Sequence, residues 1–127
     1  MTAREAAKYM VKRGQGTIIF TGATASTRGA ANFAAFAGGM HAKRALAQSM
    51  ARELGPLGIH VAHVIIDGPI ETNFVRERFG EEAFSVLKET DGLLDPQLIA
   101  DTYFNIVKQP RRAWTFEMDL RPYCETF

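Results

Sequence analysis

The sequence contains a single cysteine, Cys124, among its 127 residues. It can therefore form no internal disulfide and no cysteine-based zinc site. Charge of one sign is also lacking. Fifteen Lys and Arg face 14 Asp and Glu, for a net charge of +1. No strong field is available to draw nucleic acid or an anionic membrane. No apolar run approaches the ~18 residues of a membrane-spanning helix. The first residues, Met1 to Glu5, lack the basic-then-apolar order of a signal peptide. A cytoplasmic protein without a nucleic-acid or membrane partner is expected. What is present is 46% apolar and 23% charged residues, the composition of a folded domain rather than a disordered segment. No repeat or linker interrupts it, so residues 1–127 read as one domain.

Hydrophobic periodicity sets out the elements. Residues 2–12 read as a helix, with Ala3, Ala6, Ala7, Met10 and Val11 on one face. Thr2 and Glu5 have the spacing of a capping box. Thr17 to Thr21 is a short β-branched run, closed by Gly22, and reads as a buried strand. A long helix is predicted from about Phe33 to Leu54, ended by Gly55-Pro56. Ile59 to Ile66 is a second strand. Short helices are expected over 71–79 and 81–89. Asp95-Pro96 opens another helix that stops before Pro110. Ala113 to Leu120 reads as a third strand. Strands separated by helices imply an α/β fold with a parallel sheet. Both apolar strands are expected to be covered on two faces. Three strands make a thin sheet with an exposed long edge. The fold class is an incomplete Rossmann-like α/β domain of about three parallel strands.

The candidate chemistry is sparse. His60 and His63 lie on one strand and point to opposite faces, and His41 is remote, so no metal site is expected. Thr21, Thr24 and Ser26 bring hydroxyls to the loop after the first strand, where loop capping is their usual work. Asp67, Glu71 and Asp119 form no certified carboxylate pair. Asp67, before Gly68, is expected to fix a turn. Arg111, Arg112 and Arg121 lie near Trp114 and Tyr123, but Glu117, Asp119 and Glu125 offset them. Cys124 reads as a plain free thiol.

From Gly16 to about Thr72 the chain resembles the second half of a short-chain dehydrogenase/reductase. The match rests on the strand Gly16 to Phe20 and on Ala51-Arg52-Glu53-Leu54-Gly55-Pro56-Leu57-Gly58-Ile59 at the long helix's end. It continues into Gly68 and Thr72 of the following turn. Asp67 stands where the family usually has Pro. The ending, Ala113 to Pro122, is similar to that of one bacterial subgroup. In this ungapped register the family's catalytic Ser falls on Ala23, its Tyr on Phe36 and its Lys on Met40. In the family, the Tyr hydroxyl exchanges a proton with the substrate oxygen, the Lys lowers that hydroxyl's pKa and the Ser polarises the oxygen. Ala, Phe and Met carry no transferable proton and no charge. A register with Lys43 as the Lys puts Gly39 at the Tyr position and slips the helix match by three residues. Lys43 does share a helix face with Phe36, two turns away or about 10 Å. Thr24 is the candidate stand-in for the Ser.

The resemblance also implies NAD or NADP as cofactor, with Gly68, Ile70 and Thr72 as the contacting positions. Thr72 equally suits the N-cap of the next helix. The family's phosphate turn, Gly-x-x-x-Gly-x-Gly at a helix N-terminus, has no counterpart here. No cofactor is expected for this chain alone. The expected behaviour is self-association through the 36–54 helix and the C-terminal strand. A chain supplying the absent first half is the other expected partner. The competing expectation is an oxidoreductase acting on a carbonyl or alcohol as part of a longer or split enzyme.

Overall fold

A computed structural model describes residues 2–126. The elements run α1 (Thr2–Arg13), β1 (Gly16–Ala23), α2 (Ala34–Leu54), β2 (Ile59–Ile66), α3 (Asn73–Phe79), α4 (Glu81–Glu89), α5 (Pro96–Val107) and β3 (Glu117–Leu120). The three strands form one parallel sheet in the order β1-β2-β3. Gly16 pairs with Ile59 and Ala23 with Ile66, while His63 pairs with Glu117 and Ile66 with Leu120. This is the α/β arrangement expected from apolar runs separated by helices.

The two sheet faces differ. On one face Ala62, Val64 and Ile66 of β2 pack with Ile106 of α5, joined by Ile19, Ile99, Tyr103, Met118 and Leu120. Burying these side chains contributes about 1.5–3 kcal/mol each before chain entropy is counted. On the other face α2 crosses β1 and β2 and sinks Ala37 and Ala47 toward the sheet. Small residues at these positions let the long helix approach closely.

β2 is buried at every residue, as a central parallel strand should be. β1 departs from expectation. It is only half-buried over most of its length, because one of its edges pairs with nothing among the described residues. It also runs through Gly22 to Ala23 rather than stopping at Gly22. A Cβ on Gly22 would stand 2.4 Å from Nε2 of His63, so a residue without one continues the strand.

The third strand is shorter than the sequence implies. Residues 113–116 precede it as irregular chain. Their polar groups go elsewhere: the Thr115 amide donates to the Gln109 side chain at 2.7 Å, and the Thr115 carbonyl meets Nε2 of His60 at 2.8 Å. Trp114 stacks on His60 with centroids 4.8 Å apart. The helix ends largely follow the sequence. Asp95 caps α5 by accepting from the Gln97 amide, with Pro96 in the first turn. Thr72 caps α3 by accepting from the Val75 amide at 3.3 Å. The capping box at α1 does not form as expected. Thr2 is already helical, and Glu5 pairs with Lys8 at 2.8 Å and Arg4 at 3.0 Å.

Candidate functional site

Ligands of open parallel sheets bind beyond the carboxyl ends of the strands. Here β1 ends at Ala23 and β2 at Ile66, side by side. A cleft of about 490 Å³ opens above them. Ala23, Thr24, Phe36 and Gly68 all line it, so residues distant in sequence converge there.

The chemistry of those residues is apolar. Ala23 offers only a methyl group. Phe36 is 52% exposed and stands edge-on to Phe33, with ring centroids 6.4 Å apart. Met40, one turn on, is half-buried and does not line the cleft, and neither does Lys43. Of the cofactor-contact positions, Gly68 lines the cleft. Ile70 packs against the core and bridges to Leu94. The Thr72 hydroxyl serves its cap and donates to the Ile70 carbonyl at 3.4 Å. No group of three or more metal-ligating side chains occurs among the described residues.

Asp67 does more than fix a turn. It is 2% exposed and gathers Thr24, Arg28 and Arg121 from the loop after β1 and the chain after β3. The Thr24 hydroxyl donates to its Oδ1. The Arg28 guanidinium lies 3.4 Å away and that of Arg121 3.7 Å away. Arg28 also donates to the Thr126 carbonyl at 3.3 Å, which holds the C-terminal tail beside the cleft. A buried carboxylate needs such partners, because desolvation alone would cost several kcal/mol. The consequence for Thr24 is direct. Its hydroxyl proton points at Asp67 and is not presented to the cleft.

A second polar chain links α2, β3 and β2. Arg44 of α2 donates two hydrogen bonds to Glu117 of β3, at 2.7 and 2.6 Å. Nδ1 of His63, a fully buried residue, donates to Glu117 Oε2 at 2.9 Å. Nε2 of His63 has no hydrogen-bond partner among the described residues and faces Gly22 beside the buried Ser26. Ser26 Oγ in turn accepts from the Ala23 amide at 3.1 Å, fixing the turn after β1. Arg44 holds the Glu117 carboxyl below its ordinary range. Partial burial opposes this shift, and the His63 hydrogen bond adds to it. Glu117 raises Arg44 in return.

Sequence reasoning missed Arg28, Arg44 and Glu117 as site-building residues. One signal was available: Glu117 and Asp119 alternate along an otherwise apolar strand, which places acids on one sheet face. Replacing Gly22 by alanine should test how tightly this region is packed. The new methyl group would meet His63 and, at 2.9 Å, Ser26. A loss of about 1–3 kcal/mol is expected, read from chemical denaturation. An unchanged midpoint would show that His63 moves aside freely.

The fold is a Rossmann-type α/β arrangement, with three parallel strands among the described residues. The short chain dehydrogenase family profile matches residues 1–83. A short-chain dehydrogenase/reductase of an Acremonium species is 33% identical over 88 residues, 69% of this chain and 32% of that protein. A short-chain dehydrogenase crystal structure from Rhodopseudomonas palustris is 47% identical with a TM-score of 0.71. It covers 94% of this chain, which spans 44% of that one. A 4-hydroxyisoleucine dehydrogenase solved with NADH superposes with a TM-score of 0.79 at 24% identity, over 95% of this chain and 52% of its own, a likeness of fold. The chain belongs to the short-chain dehydrogenase/reductase family, and it spans half or less of the length of most of these relatives.

Proposed function

We propose that this chain is a catalytically silent short-chain dehydrogenase/reductase half-domain that acts by association. The observation that carries this reading is the Phe36 ring standing in the cleft at the family's Tyr position, with Ala23 and Met40 at the Ser and Lys positions. Thr24, the nearest hydroxyl, is committed to Asp67. Proton exchange with a bound carbonyl then lacks the donors that the family places at these three positions. Association is favoured by unpartnered surfaces. β1 presents an open strand edge. Leu46 on α2 and Leu98, Phe104 and Val107 on α5 are at least half exposed. Self-association through α2 and the β3 region is the expected mode, and a polypeptide carrying the family's first half is the second partner. A reducing cytoplasmic setting fits the single exposed Cys124.

One observation favours a second reading, an NAD(P)-dependent oxidoreductase acting on a carbonyl or alcohol as part of a longer or split enzyme. The solved relatives are about twice as long, and several were solved with NADH or NADP. Two measurements on the purified chain separate these readings. Sedimentation velocity should show dimers or larger species at concentrations on the order of 10–100 µM, the range of weak interfaces. Titration with NADH and NADPH, followed by their fluorescence, should show no saturation. A persistent monomer would overturn the association reading. Saturable binding with turnover of a carbonyl panel would establish the enzyme instead.

A further inference from the structure

The cleft has a composition that association does not require. Phe33, Phe36, Phe74 and Phe79 line it, and each is more than half exposed. Several of its polar side chains are already engaged. Thr24 is bound to Asp67, and Arg28 lies between Asp67 and Glu125, the latter at 3.9 Å. Arg78 of α3 also lines the cleft. Its neighbour Arg76 is engaged elsewhere, at 3.6 Å from Glu81 and 4.6 Å above the Phe84 ring. The short helix α3 thus brings one guanidinium to an apolar, aromatic-walled space, with Arg28 as a second cation and Glu125 as the acid in the lining among the described residues.

We propose that this cleft binds a small planar aromatic carboxylate. Its ring would lie against the phenylalanine walls and its carboxylate against Arg78. Exposed phenyl rings recover much of their hydrophobic free energy against a flat ring, with favourable edge or offset contacts. A guanidinium matches a carboxylate with two parallel hydrogen bonds, and an apolar surround strengthens that attraction. The cleft's size falls within the range of small-molecule sites, about 300–1,000 Å³. A neutral ligand would leave the Arg78 guanidinium unused, and a cation would be repelled by it. Binding of this kind needs no proton donor, so it does not depend on whether the chain is silent or catalytic.

The test uses naphthoate and its uncharged analogue naphthylmethanol, titrated into the full chain by calorimetry. Naphthoate should bind saturably, at least about tenfold tighter than the alcohol, as a charge-assisted pair implies. Arg78→Gln should bring naphthoate down to the level of the alcohol and leave the alcohol unchanged. Arg112→Gln, which removes a cation away from the cleft, should change neither. Phe74→Ala should weaken both ligands. Circular dichroism checks that each variant is folded. Equal binding of acid and alcohol, insensitivity of naphthoate to Arg78→Gln, or no saturation by naphthoate would each overturn the proposal.

Discussion

Replacing Gly58 by alanine is expected to destabilise the domain by about 3–5 kcal/mol, through two additive causes. Gly58 follows the turn Gly55–Leu57 with φ of 84°, the left-handed region that L side chains enter at a cost. A Cβ there would also stand 2.3 Å from the Gly14 carbonyl oxygen. That atom belongs to the backbone, and it is already held by the Arg111 guanidinium at 2.7 Å. The clash cannot be relieved by a rotamer change. Gly58 leads directly into Ile59, whose pairing with Gly16 starts the β1–β2 ladder. Relief would have to displace the start of the central strand. A loss of this size is a large part of the ~5–15 kcal/mol that holds a small domain together. The thermal midpoint should fall by about 10 °C or more. A fall of only two or three degrees would mean that the Gly14 loop yields, and that the turn is not fixed as described.

The second large effect concerns Glu117. Glu117→Ala should cost about 3 kcal/mol, the lower end for breaking a buried ion pair, because both partners keep some contact with water. The side chains of Arg44 and Glu117 are 32% and 23% exposed. The change strands the Arg44 guanidinium and leaves both ring nitrogens of the buried His63 without partners. Glu117→Ala together with Arg44→Met should cost clearly less than the sum of the single changes, since neither charge is then left alone. The pH dependence follows from the lowered Glu117 pKa. The stabilisation is fully present above the unfolded carboxyl's ordinary value, about 4.3. It is lost as pH falls through the lower folded value. Acid titration of stability should therefore be steeper for the parent than for Glu117→Gln below about pH 4.3. Parallel curves would show that Glu117 contributes no pH-dependent stability.

The sequence shows the architecture plainly and the site only in part. Helix and strand periodicity places α2, β2 and α5 closely. The Asp95-Pro96 start and the Thr72 cap are local signals read by local chemistry. Of the positions given by the family resemblance, Ala23, Phe36 and Gly68 meet at one cleft, while Met40, Ile70 and Thr72 do not line it. What resists reading is long-range pairing. Nothing beside Asp67 in the sequence announces Thr24, Arg28 and Arg121 as its partners. An Asp before a Gly looks like a turn residue, and only the sheet shows it to be buried. Residues 113–116 carry a strand's composition, but Gln109 and His60 take hydrogen bonds that a ladder would need. β1 reads as a core strand because its neighbourhood is set by which strand lies beyond it.

The separation of sheet partners along the chain also bears on how quickly the domain can form. β1 cannot pair until the 21 residues of α2 and the turn after it have been made. β3 cannot pair until α3, α4 and α5 have followed. Every strand contact among the described residues therefore waits on closing a long loop, with no hairpin among them as a local nucleus. α2 can form early, since a helix needs only its own neighbours. During synthesis β1 emerges before β2, with Ile18, Ile19 and Phe20 awaiting it. Refolding is then a race between intramolecular closure and encounters between chains, so the yield of native domain should fall as refolding concentration rises.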